Sequence, residues 1–373
     1  MKSIRRILMV QPYGIGDALF MTPLLRALRT LPTVETIDLL LGSRTEAVFQ
    51  DNPHVDKIFS LDKGAWHREG NQRMIRDVVH LWKNLKGRYD LLMDCSLQRE
   101  YAFYADFFLR IPRRVGFDFK NRGLFLTDRV KLPYGFEGRH VIDFYGELGK
   151  LLRIEMEDPF AEFYLSGKDR EEAEKVLRGK SISSSRGGFQ TRPYIVVAPG
   201  GGESWGKDAL FKRWPVTSFI KMISLLKDRI DFDQILILGS QNERMLAEEI
   251  LKKSAVPAIN LCGELSLGGA AAILDQSALF LANDGGLVHL AHALSVPLIA
   301  LYGPVDPKVY GPYPETSEAA AIARSDLPCR PCYFQFRYNS ACPDRECLTD
   351  LHPEEVMEFL DTRNFWTALC EKV

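Results

Sequence analysis

The chain lacks any long apolar run. Its uninterrupted apolar stretches, such as Ile235–Leu238 and Leu298–Leu301, are strand-sized, whereas a membrane-spanning helix needs roughly 18 or more apolar residues. The amino terminus is basic over Lys2–Arg6, but Ile7–Val10 is too short for the apolar core of a signal peptide, so the expected localisation is cytoplasmic. Net charge is nearly absent as well, at −1, which removes the large basic excess that nucleic-acid binding requires. The balance hides a split: residues 1–160 hold 25 Lys and Arg against 21 Asp and Glu, the remainder 23 against 28. A mildly basic first half suits an anionic partner. Cysteine is sparse outside one cluster; Cys95, Cys262 and Cys370 stand alone and read as buried or incidental thiols.

Two glycine fingerprints are also missing. Gly14-Ile15-Gly16-Asp17 follows the first apolar strand, where G-x-G-x-x-G would fall, but the third glycine position is Leu19. A nicotinamide cofactor is thereby disfavoured. Gly200-Gly201-Gly202 is not followed by Gly-Lys-Ser/Thr at the spacing of a P-loop.

What is present is a chain of 373 residues, 46% hydrophobic, long enough for two domains with sizeable cores. Strands at 7–10, 37–41, 55–59, 89–94 and 113–117 alternate with helical segments that include 22–31, 74–85 and 99–109. Residues 61–73 read as a loop. The texture changes near 155–193, where a charged helix at 168–178 precedes the aperiodic stretch 181–193. Strand–helix alternation then restarts at Tyr194 and continues through strands at 234–238, 259–262, 279–282 and 296–301. Pro353 opens a last helix through about Leu369. Such alternation predicts parallel, doubly wound α/β sheets: two Rossmann-like halves.

The residues with chemistry fall at predicted strand ends. In Asn283-Asp284-Gly285-Gly286, the glycines let backbone approach a ligand and the following helix offers unpaired N–H groups and a positive dipole end. That combination suits a phosphate or diphosphate, although Asp284 also reads as an ordinary N-cap. Three glycines at 200–202 make a turn whose N–H groups are placed to donate to phosphate. Lys212 and Arg213 are cations that could neutralise it. Glu243 follows the next strand, near where such folds set an acid on a ribose. Asp17 serves either as a helix cap or as a general base. His289 and His292 share a helix face; His289 is read as a ligand contact and His292 as packing. Cys329, Cys332, Cys342 and Cys347, spaced C-x2-C-x9-C-x4-C, permit a four-thiolate structural metal site or free thiols.

Taken together, Gly-x-Gly-Asp with Thr-Pro (14–23), Pro-Gly-Gly (199–201), Lys-x-Trp-Pro (212–215), Asn-Asp-Gly-Gly-x-x-His (283–289) and Gly-Pro-x-Asp-Pro (303–307) resemble glycosyltransferase family 9. These are the ADP-heptose:lipopolysaccharide heptosyltransferases, and the resemblance runs in order along nearly the whole chain. It implies the GT-B architecture, two Rossmann-like domains facing across a cleft. Residues 1–165 would be an acceptor-binding domain and 166–352 a nucleotide-sugar domain, with 353–373 returning to the first.

The implied activity is inverting transfer of a heptose from an ADP-sugar to a lipopolysaccharide inner-core acceptor, without a catalytic metal or other cofactor. By position, Asp17 would be the base. Gly200, Gly201, Ser204, Lys212, Glu243, Asp284, Gly285, Gly286 and His289 would hold the donor, and Gly16, Arg99, Arg113 and Lys120 the acceptor. The partners implied are the nucleotide-sugar and a lipid-linked saccharide, with peripheral contact at the inner membrane face. A UDP- or GDP-sugar enzyme, or a non-catalytic binding module for lipid-linked sugar, are the competing readings.

Overall fold

Two parallel sheets organise the chain, and their central strands are apolar runs buried on both faces. The computed structural model describes residues 3–182, 194–202, 206–338, 342 and 344–371. The first sheet comprises β1 (Arg6–Gln11), β2 (Thr36–Gly42), β3 (Lys57–Leu61), β4 (Leu91–Asp94), β5 (Arg113–Asp118) and β6 (Asp128–Lys131), in the order β3-β2-β1-β4-β5-β6. The second comprises β7 (Tyr194–Ala198), β8 (Gln234–Ile237), β9 (Ala258–Asn260), β10 (Phe280–Asn283), β11 (Leu298–Leu301) and β12 (Ala319–Ile322), in the order β12-β11-β10-β7-β8-β9. All pairings within both sheets are parallel.

The chain divides into two compact units, Met1–Tyr164 and Leu165–Val373. Each is doubly wound. Strand order reverses between β1 and β4 in the first and between β7 and β10 in the second, and folds of this class bind ligands at the carboxyl ends of strands beside such a reversal.

Several elements differ from expectation for local reasons. Residues 61–73 are not a loop: Lys63–Glu69 is a helix, capped by Asp62 through the Ala65 N–H at 2.9 Å. The segment from Arg99 is α-helical to Tyr104 and then widens to a π-turn over Ala105–Leu109. The last helix is two, Pro353–Thr362 and Phe365–Glu371. They are separated at Asn364, whose φ of 54° is the left-handed conformation Asn tolerates best among residues with a side chain.

Val356, Met357, Leu360, Phe365 and Leu369 join the second unit's core beside Phe219, Met222, Ile223 and Leu226. The connection at 183–193 lies outside the described residues. No described helix is long and apolar enough to cross a membrane.

Candidate active site

In the first unit, β1 ends at Gln11 and the chain turns into a short helix, Ile15–Phe20, with Gly14 as its N-cap. Asp17 is the third residue of that helix, and one of its carboxylate oxygens accepts the Gly14 N–H at 3.2 Å. It therefore caps its own helix end, where the dipole favours the ionised carboxylate. Gly16 lies within the same turn. Gln11 is fully buried beneath it and donates to the Tyr145 hydroxyl at 2.8 Å and to the Asp17 carbonyl at 3.4 Å.

Beside this turn, β4 ends at Asp94, a residue the sequence did not single out. Asp94 is buried and accepts the Ser96 N–H at 2.9 Å. Loss of solvent raises its carboxyl to about 7, against the opposing pull of the Ser96 hydrogen bonds. Tyr13, whose hydroxyl accepts the Leu97 N–H at 3.0 Å, is pushed up to about 12, mainly by burial, with the charges of Asp94 and Asp17 adding to the rise. The reversal point of the first sheet thus carries a half-buried phenol, Tyr13, within electrostatic reach of two carboxylates, Asp94 and Asp17.

Of the expected acceptor residues, Arg99 opens the helix after β4 and is exposed, and Lys120 follows the carboxyl end of β5, also exposed. Arg113 is a correction. It is the first residue of β5, at the amino edge, and is occupied by Asp128 at 3.2 Å and the Leu151 carbonyl at 3.0 Å. A strand's first residue is remote from the edge where its parallel sheet binds ligands, so Arg113 is structural.

In the second unit, the turn after β7 and the helix start after β10 come together. Gly201 and Gly202 have φ of 81° and 80°, a region glycine enters without steric cost. A Cβ on Gly285 would lie 3.3 Å from the Gly201 carbonyl, so the two backbones touch. Gly285 is the N-cap of the helix Gly286–Ala293.

Asp284 is not the cap that its position suggested. Its carboxylate instead meets the Lys212 ammonium at 2.7 Å, with both side chains less than a tenth exposed. The Lys212 charge is thereby fixed beside the first N–H groups of that helix. His289, one turn in, is buried, and His292 packs with its Nε2 3.1 Å from the Pro314 carbonyl.

Glu243 holds the glycine turn in place. Its two carboxylate oxygens accept the Gly202 N–H at 3.0 Å and the Ser240 N–H at 2.8 Å, and a Cβ on Gly200 would fall inside that carboxylate. Arg213, whose Nε donates to the Gly200 carbonyl at 2.7 Å, fastens the same turn from the other side. Asn283 cross-links the layers, donating to the Pro199 carbonyl at 2.8 Å and accepting the Trp214 N–H at 3.0 Å. The structure therefore gathers Gly200, Gly201, Lys212, Glu243, Asp284, Gly285, Gly286 and His289 at one sheet edge. Ser204 lies outside the described residues.

Among the described residues, no three His, Cys, Asp or Glu side chains are arranged to hold a metal ion. Cys329, Cys332, Cys342 and Cys347 are free thiols. Cys347 is buried in the core, and burial raises its thiol to about 11. The segment is fastened by Arg330, which donates to the carbonyls of Gly303, Arg324 and Val305, and by Cys332, whose N–H donates to the Pro304 carbonyl at 3.0 Å.

Two doubly wound units with glycine-lined switch points define the α/β class to which GT-B glycosyltransferases belong. The sequence matches the family model for glycosyltransferase family 9 (heptosyltransferase) over residues 78–337. The chain belongs to that family, and it is a glycosyltransferase.

Lipooligosaccharide heptosyltransferase 2 of Haemophilus influenzae is 26% identical over 326 residues, covering 85% of this chain and 88% of that one. Lipopolysaccharide heptosyltransferase 2 of Escherichia coli is 25% identical over 366 residues, covering 95% and 97%. The solved structure of the E. coli ADP-heptose LPS heptosyltransferase II superposes with a TM-score of 0.70 at 23% identity, covering 99% of this chain and all of that one. That likeness establishes the shared fold.

Proposed function

We propose that this enzyme transfers a heptose, or a closely related sugar, from an ADP-sugar to a saccharide of the lipopolysaccharide inner core, inverting the anomeric carbon. The observation that carries the reading is Lys212, fixed by Asp284 beside the start of the helix Gly286–Ala293 and the glycine turn at 200–202. A leaving nucleoside diphosphate gains negative charge as its bond to the sugar breaks. A held cation with a helix amino end stabilises that charge where it develops.

On the donor side, Lys212 and the N–H groups from Gly286 onward bind the diphosphate. Glu243 accepts the ribose hydroxyls in addition to its two backbone N–H groups, and His289 and Ser204 complete the contact. Because these groups supply the positive charge, the reaction as written requires no cofactor. On the acceptor side, Gly16, Arg99 and Lys120 orient an anionic saccharide. Asp17 accepts the proton of the attacking hydroxyl as its oxygen bonds to the anomeric carbon and the diphosphate departs through an oxocarbenium-like transition state. The names of the relatives at 25–26% identity, lipooligosaccharide and lipopolysaccharide heptosyltransferases, support heptose as the transferred sugar and a lipopolysaccharide-type acceptor.

The test is a calorimetric panel of ADP, UDP and GDP followed by measurement of ADP released from ADP-heptose with and without acceptor. Tightest binding of ADP and acceptor-dependent release support the proposal. Preference for UDP or GDP transfers it to another donor, and binding without release makes the chain a binding module.

A further inference from the structure

Six of the ten exposed large apolar side chains among the described residues lie on two helical segments and one turn of the first unit. Ile75 and Val79 stand one turn apart on the helix Asn71–Leu85; Phe103, Phe107 and Phe108 lie on the segment after β4, and Leu124 in the connection after β5. Their exposure runs from 38% to 74%. The aromatic members touch one another, and a hydrogen bond ties them to the neighbouring helix. Phe103 meets Phe107 at 4.8 Å and the half-buried Phe125 at 5.1 Å between ring centroids, Tyr104 stacks on Phe108 at 5.2 Å, and the Tyr104 hydroxyl donates to the Val78 carbonyl at 3.0 Å. An exposed apolar cluster of this extent marks an interaction surface.

Its surroundings carry an excess of positive charge. Lys83 and Lys86 continue the helix beyond Val79, Arg110 ends the aromatic segment, and Arg122 precedes Leu124; all four are exposed. The nearby acids are already matched. Asp106 pairs with Arg114 at 3.2 Å, Asp77 with Arg73 at 2.9 Å, and the charge of Glu100 acts on Lys63. Residues 99–131 contain eight Lys and Arg against four Asp and Glu.

Aromatic rings within a basic collar are what an anionic lipid surface binds: the rings settle at headgroup depth and the cations meet the negative leaflet. A second copy of the chain fits less well, because a twofold interface sets the same patch against itself and would oppose the two collars.

We infer that this face docks the first unit on an anionic phospholipid membrane. The patch reaches the loop after β5, at the carboxyl edge that also carries Gly14–Asp17. Docking there brings a lipid-anchored acceptor to that edge, an inference that rests on the acceptor class proposed above.

The full chain is sedimented with vesicles of phosphatidylcholine alone and with vesicles containing about one-third phosphatidylglycerol. Binding is expected to be about tenfold stronger to the anionic vesicles and to weaken several-fold as salt is raised. Phe107→Ser with Leu124→Ser, both at exposed positions, should reduce it about tenfold without lowering the melting temperature. The same pair should leave turnover of a deacylated, water-soluble acceptor unchanged while slowing turnover of a vesicle-borne one.

Equal binding to both vesicle types, or undiminished binding by the double-serine chain, overturns the inference. So does a wild-type dimer that the substitutions dissolve while lipid binding is absent. Vesicle binding is read without donor or acceptor. Binding with no sugar transfer therefore sinks the transferase reading alone, and transfer with no binding sinks the docking alone.

Discussion

The Lys212 ammonium lies 2.7 Å from the Asp284 carboxylate, with side-chain exposures of 7% and 6%. Removing one member of such a buried pair strands the other charge, at a cost of about 3–5 kcal/mol. Lys212→Met is therefore expected to lower stability by about that amount in chemical denaturation and to weaken ADP binding more than tenfold. Lys212→Met combined with Asp284→Asn should recover most of the stability and none of the ADP affinity. If calorimetry shows both recovered together, Lys212 is a structural cation and not a phosphate ligand.

The glycine turn at 200–202 makes a second prediction. Gly200→Ala would place a methyl group within the Glu243 carboxylate and force that side chain off the Gly202 and Ser240 N–H groups. Overpacking with two lost charge-assisted hydrogen bonds is expected to cost about 3 kcal/mol or more. Glu243→Ala in the same background should relieve the clash while leaving the turn unfastened. Melting temperature should then rise relative to Gly200→Ala alone, and ADP affinity should stay low.

Asp94 gives stability a pH signature. An ordinary aspartate loses its proton near 3.8, whereas in the fold Asp94 holds it to about 7. Between those values the folded chain binds the extra proton, so the Asp94 contribution to stability falls as pH rises from about 4 to 7 and stays low above that. Asp94→Asn keeps an oxygen for the Ser96 N–H. It should be nearly neutral at pH 4 and more stable than wild type at pH 8, by up to about 4 kcal/mol. Urea titrations at the two pH values check this, and a variant destabilised equally at both contradicts it.

How much of this was legible in the sequence depended on what each residue does. Central strands such as β1, β4, β7 and β10 are buried on both faces and announce themselves as apolar runs. Two edge strands were missed: β6, Asp128-Arg129-Val130-Lys131, carries no such run, and β12, Ala319–Ile322, is apolar but three of its four residues are alanine, which favours helix over strand. Lys63–Glu69 was read as loop because Gly64 and polar neighbours obscure its period, although Asp62 at its start was a usable cap signal.

Residues at strand ends were legible because glycines flag where backbone must come close. Arg113 failed for a reason the sequence did contain, since it opens its strand instead of closing it. Asp94 had no flanking glycine, and its raised pKa comes from burial that only the assembled sheet creates. The second job of Glu243, bracing a turn 41 residues earlier, and the choice of the last helices for the second unit's core are long-range facts that local pattern does not encode. The thiol spacing allowed a four-thiolate site or free thiols, and among the described residues no three His, Cys, Asp or Glu side chains are arranged to hold a metal ion.

The central claim is that Asp17 takes the proton from the attacking hydroxyl. The most direct measurement is single-turnover sugar transfer by Asp17→Asn, with ADP affinity measured on the same preparation. Asn can retain the acceptor oxygen that receives the Gly14 N–H and so preserves the helix cap, but it cannot serve as a base. The account predicts a rate lower by about 100-fold or more with ADP binding and melting temperature near wild type. A transfer rate within a few-fold of wild type would contradict it.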